Sequence, residues 1–190
     1  MTGYYNLVAD DFDRVFRAVR EEQWGAPTPC EEWTVRQLAC HVVETHRRAL
    51  AILYGNDFEP VGHDDVRHAW REASSRVRDA RDDPGLAARV VSGLGRDQSF
   101  RSLVEGLLTF DTLTHTWDLA HAIGADEALN PDAVAYAHDA LAPFSEVLRG
   151  PGGYGPALEA APDASAQTRF LAFTGRRPRV SPRVTPESRN

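Results

Sequence analysis

Apolar residues recur at helical spacing over most of the chain. Leu7, Val8, Phe12, Val15, Phe16 and Val19 form one stripe. They predict an amphipathic helix over Tyr5 to Gln23, stopped by Gly25, Pro27 and Pro29. Thr34 and Gln37 stand three apart ahead of a second stripe (Val35, Leu38, Val42, Val43, Leu50, Leu53), which is a capping-box signature. The second helix is therefore placed from Val35 to about Tyr54, ending at Gly55-Asn56. Asp64 or Asp65 caps a third, strongly charged helix that reaches about Ala80 and has Val66, Ala69, Trp70, Ala73 and Val77 on one side. Residues 86–98 have no single period: Arg89-Val90-Val91 reads as extended, and Gly93 and Gly95 as loop. The longest periodic segment runs from Ser99 to Ile123, with Gly124 as its C′ residue. Asn130-Pro131 opens a fifth helix to about Leu148, which Pro143 either kinks or ends early. A Gly/Pro-rich loop follows, then a short helix over Asp163 to Phe173.

This succession has no internal repeat and little strand signal, so it predicts an all-α helix bundle. Residues 1–176 read as one domain, and the Arg-, Pro- and Ser-rich stretch 177–190 as a disordered tail. The length of 190 residues is enough for a hydrophobic core without staples.

Composition narrows the partners. A net charge of -7 argues against nucleic acid and anionic membranes. No run approaches the ~18 apolar residues of a membrane span, and the N-terminal residues have no secretory pattern, so a cytoplasmic protein is expected. All cationic side chains are Arg, which removes lysine Schiff-base chemistry. Cys30 and Cys40 form no CxxC pair, and no disulfide is expected.

Among the seven histidines, His46, His63, His68 and His138 stand in charged surroundings and read as surface residues. His121 lies near a helix end, where it can meet the last carbonyls. His41 and His115 differ, because each sits inside an apolar helical segment. Asp111 precedes His115 by four residues and so shares its helix face. A carboxylate among Leu108, Phe110 and Leu113 is costly unless paired, and a metal supplies the countercharge. His41, Asp111 and His115 are thus candidate metal ligands, a set suited to zinc, iron or nickel, with positions left open for water or substrate. The competing reading is an ordinary hydrogen-bonded or ionic Asp–His pair. Asp118 reads as a carboxylate that orients His115 or packs the helix, not as a ligand. Cys30 is either a reactive thiol or, on the simpler reading, a small loop or core residue. Trp33 and Trp117 read as core anchors.

Two stretches carry a family resemblance. Thr28-Pro29-Cys30-Glu31-Glu32-Trp33-Thr34-Val35, continuing through Leu38 to His41, resembles the "TPC-x-x-WTV-x-x-L-x-x-H" segment of mycothiol-dependent maleylpyruvate isomerase N-terminal domains. Asp111 through Ala120 resembles their "E-x-x-x-H-x-WDLA" helix, and Ala161 to Arg176 looks like the ending of an actinobacterial branch of metal-binding members. The resemblance implies a DinB-like four-helix bundle with an additional short C-terminal helix. It also implies a divalent metal, usually zinc, on His41, Asp111 and His115, with mycothiol as cosubstrate. The family's usual carboxylate is Glu; Asp111 is one methylene shorter, which bears on metal identity and affinity. The expected activity is that of a metal-dependent thiol transferase or isomerase acting on a small electrophile. The alternatives are a metal-binding stress or small-molecule-binding protein without thiol chemistry, and a repurposed biosynthetic cyclase or isomerase. A homodimer through an apolar stripe on the first or fifth helix fits the pattern equally with a monomer.

Overall fold

In a computed structural model, residues 3–30, 33–62, 65–93, 95–142, 145, 147–149 and 154–178 are described. His63, Asp64, Pro143 and residues 179–190 of the expected tail lie outside them.

Helix α1 spans Tyr5–Arg17, α2 Val35–Tyr54 and α3 Val66–Asp82. A short α4 (Pro84–Ala88) leads into an antiparallel hairpin of β1 (Val90–Gly93) and β2 (Arg96–Ser99). One continuous helical rod follows, made of α5 (Phe100–Leu103), a π-helical turn (Val104–Leu108) and α6 (Thr109–Ile123). Helices α7 (Pro131–Leu141) and α8 (Ala166–Phe173) complete the order. The expected all-α, DinB-like bundle is the fold observed, with α1, α2, α3 and the α5–α6 rod as its four members and α7 and α8 added beyond it. Among the described residues no helix is long and apolar enough to cross a membrane.

Local chemistry sets most boundaries. Thr34 Oγ1 accepts the Gln37 N–H while the Gln37 side chain accepts the Thr34 N–H, so the capping box closes as predicted. Gly55 and Gly124 end α2 and α6 in the left-handed region, φ 69° and 70°. Helix α1 is shorter than its stripe suggests: Arg20 turns extended, and Glu21–Gln23 forms a separate 3-10 turn closed by Gln23. Helix α7 stops at Leu141; Ala142 keeps helical backbone and still donates to His138 O, and the next residue in sequence, Pro143, has no N–H with which to continue the ladder. Helix α8 starts at Ala166, three residues later than expected, because Ser165 accepts the Thr168 N–H and caps it.

Two hydrophobic cores flank α6. One joins α1, α2, α3 and the hairpin around Phe12, Trp70, Leu38 and Phe100; the other joins α7 and α8 around Phe110, Trp117, Val134 and Phe170. Every residue from Thr109 to Ala120 is buried, so α6 is the central element. Three of its four threonines satisfy their hydroxyls on helical carbonyls, Thr109 on Val104 O at 3.0 Å, Thr114 on Phe110 O at 2.9 Å and Thr116 on Thr112 O at 2.7 Å, whereas Thr112 Oγ1 is buried with no partner among the described residues. Polar side chains thereby fit the buried stretch of the helix from Thr109 to Ala120.

Candidate metal centre

Helices α2 and α6 face each other where His41, Asp111 and His115 meet. Asp111 Oδ1 lies 3.1 Å from His41 Nε2 and 3.5 Å from His115 Nε2. One donor atom from each residue falls within 4.8 Å of the others. Donors that share an ion at ~2 Å stand roughly 3–3.5 Å apart, so the spacing fits a single ion. His115 and Asp111 are buried, whereas the His41 side chain keeps 32% of its exposure and lies at the mouth. The Trp33 ring stacks 4.6 Å from that of His41, on the same side.

The protonation pattern points the same way. Asp118 is fully buried and accepts the His115 Nδ1–H at 2.9 Å. This leaves the Nε2 lone pair of a neutral His115 facing the Asp111 carboxylate. Two acceptors 3.5 Å apart repel unless a cation, either a proton or a metal ion, sits between them. Burial favours the neutral forms of Asp111 and His115, but their mutual attraction outweighs it. Asp111 is held far below the usual carboxylate range, and His115 well above the usual imidazole value. Asp111 Oδ2 is buried with no hydrogen-bond partner among the described residues. An unpartnered carboxylate oxygen beside two imidazoles is the observation a metal ion fits.

Cys30, His115 and Asp118 form a second cluster of metal-ligating types. Its cation is already present within the protein. The Arg176 guanidinium binds both oxygens of Asp118, Nε to Oδ1 at 3.1 Å and Nη2 to Oδ2 at 2.9 Å. Burial pushes the Asp118 pKa up, but His115 and Arg176 together draw it down to about 2. The Cys30 thiol donates to Asp118 Oδ2 at 3.2 Å and accepts from Arg176 Nη2 at 3.3 Å. Cys30 is thus a half-buried loop residue tied into this network, and Asp118 is the orienting carboxylate that its spacing from His115 suggests.

The other histidines fall elsewhere. His68 is exposed, His138 pairs with Asp139 at 3.4 Å, and His121 faces Glu127 at 3.0 Å. His46 overturns its expected surface position: it is 0% exposed, with Nδ1 donating to Val42 O at 2.8 Å and its ring against Tyr5 and Trp70. Its charged neighbours in sequence mislead, because Val42 and Leu50, four residues away on either side, set its helix face. Arg176 was not singled out by sequence reasoning, since nothing local marks it as a partner for a residue 58 positions earlier.

Comparison with known proteins agrees with the N-terminal motif. Residues 5–64 match the family described as the mycothiol maleylpyruvate isomerase N-terminal domain. The chain is 34% identical over 146 residues to the uncharacterised proteins Rv0738 and MT0763 from two strains of Mycobacterium tuberculosis, covering 75% of this chain and 79% of each of theirs. No solved structure gives a significant match. With that likeness over three quarters of its length, the chain belongs to the family of these mycobacterial proteins and opens with a domain of the mycothiol maleylpyruvate isomerase N-terminal type.

Proposed function

We propose that the chain is a divalent-metal protein that uses a low-molecular-weight thiol against a small electrophilic substrate. The observation that carries the metal is the buried Asp111 carboxylate, whose Oδ1 lies within 3.5 Å of both His41 and His115 and whose Oδ2 has no hydrogen-bond partner among the described residues. His41, Asp111 and His115 would hold the ion, and two imidazoles with one carboxylate favour zinc, with nickel or iron(II) as alternatives. Bound there, the ion would lower the pKa of a thiol and keep it as thiolate at neutral pH. The thiol itself, of the mycothiol type, is supported by the family matched over residues 5–64.

The chain's own residues divide the remaining work. Asp118 fixes the His115 ring through Nδ1, so that Nε2 faces Asp111. Trp33, half-buried, lies with its ring 4.6 Å from that of His41 and 5.9 Å from that of His115, and so packs against both imidazoles. The central position of α6 keeps water from the inner side of the site.

Elemental analysis of untagged protein purified without added metal tests this reading. The wild type should carry about one equivalent, and Asp111→Ala should lose it. The metal-loaded wild type should then consume an electrophile only when a thiol is supplied, and His115→Ala should abolish that turnover. A wild type that takes up no zinc on incubation would overturn the metal centre. Metal without thiol-dependent turnover would leave a metal-binding protein of another kind.

A further inference from the structure

The segment just after α8 sends Arg176 to the centre of the bundle. Gly175 adopts φ +78°, and a Cβ there would stand 3.1 Å from the Pro156 carbonyl oxygen. Its N–H donates to Ala172 O at 3.0 Å, while the Arg176 N–H donates to Leu171 O at 2.8 Å. This paired closure is a Schellman motif, and it turns the chain so that Arg176 is aimed inward rather than along the helix axis. The guanidinium is then fully engaged: Nε and Nη2 on Asp118, Nη1 on Thr174 O at 2.7 Å, and Nη2 also on Cys30. The Tyr154 ring covers it at 5.0 Å and in turn packs on Phe110 of α6. A bidentate guanidinium fixes both the position and the plane of a carboxylate, and the Asp118 carboxylate fixes the plane of His115.

We propose that Arg176 is a positioning residue of the metal centre: through Asp118 it sets the ring orientation of His115, so the C-terminal segment controls metal affinity from outside the ligand set. This inference rests on the metal reading above. Among the described residues no hydrogen bond joins Arg176 to His41, Asp111 or His115, so it acts on the His115 ring through the carboxylate it grips. The same guanidinium holds Cys30, and so ties the loop that carries Trp33 to the inner side of the site.

The test is zinc affinity, measured by competition with a chromophoric chelator, for the wild type, Arg176→Gln, Asp118→Asn and the double variant. Orienting carboxylates of this kind are worth roughly 10- to 100-fold in metal affinity. Each single variant should weaken zinc binding by about that factor. The double variant should be no weaker than Asp118→Asn alone, because both changes break one relay. Arg176→Lys keeps the charge and loses the two-pronged grip; it guards against a Gln variant that fails to fold with Asp118 buried and unpaired, and it should still lose several-fold. Wild-type affinity in Arg176→Gln or Arg176→Lys would overturn the inference. So would additive losses in the double variant, which would mean that Arg176 acts by a separate route. A wild type that binds no zinc would fail the parent reading instead, so the two failures are distinguishable.

Discussion

His46, Asp111 and His115 are ionisable groups taken almost wholly out of water, and their environments drive them in different directions. Burial outweighs the Val42 carbonyl and the Asp111 charge and pushes the His46 pKa down to about 4. Its neutral form is what the fold accepts, so unfolding at mildly acidic pH lets it take up a proton. The stability it supports is complete above about pH 6.5 and is lost as pH falls toward 4. His115 runs the other way: its contribution is complete below about pH 6.5 and declines as pH rises through its elevated folded value. The two windows barely overlap. Urea unfolding of metal-free protein between pH 6.5 and 4.5 should therefore show a loss of roughly 2 kcal/mol, and His46→Phe should remove most of that slope. An unchanged slope in the variant would place the acid sensitivity elsewhere. At this scale the sequence exposed Asp111 and His115 readily, since a carboxylate is conspicuous among Leu and Phe. It concealed His46, whose neighbours Glu44, Thr45, Arg47 and Arg48 mark the local composition while the four-residue spacing marks the face.

Helix α2 brings His41 to the site from its second turn, so where α2 starts matters to where His41 lies. Thr34 fixes that start, and the loop just before it carries Cys30 and Trp33. Removing the hydroxyl with Thr34→Ala should cost about 1 kcal/mol, read as a melting temperature lower by roughly 2–4 °C. Thr34→Ser, which keeps the cap, should restore it. The α2 boundaries were readable because both ends carry a chemical marker, a capping box and a glycine. Helix α1 has no such marker after Arg17, and its stripe continues through Val19 into residues that pack as a turn. The hairpin was readable only in part: Arg89-Val90-Val91 reads as extended and overlaps β1, but four-residue strands do not establish a period and β2 carried no signal.

Across the whole molecule, His41 and Asp111 lie 70 residues apart in sequence and meet only because α6 runs through the middle of the bundle beside α2. The spacing rule finds the Asp111–His115 half of the site; the His41 half depended on an apolar setting and a family motif, and the Arg176 relay on tertiary structure alone. An ion held between α2 and α6 would bind the folded chain and not the unfolded one. At a free zinc concentration 100 times its Kd it should add about 2.7 kcal/mol, which raises the melting temperature by roughly 5–10 °C. Scanning calorimetry should show that rise in the wild type, its reversal by chelator, and its absence in His115→Ala. The π-helical turn at Val104–Leu108 has a consequence at this same scale. It works as a phase adjuster between the two ends of a rod. Upstream, Phe100 and Leu103 must seat against the hairpin and α2; downstream, Asp111 and His115 must point at His41. One residue more or less rotates everything beyond it by about 100°, so the extra residue in the wide turn lets each end keep its own angle. A one-residue deletion there, at Gly106 for example, would force the rod into a single phase, and either the hydrophobic seat or the ligand pair would swing out of alignment.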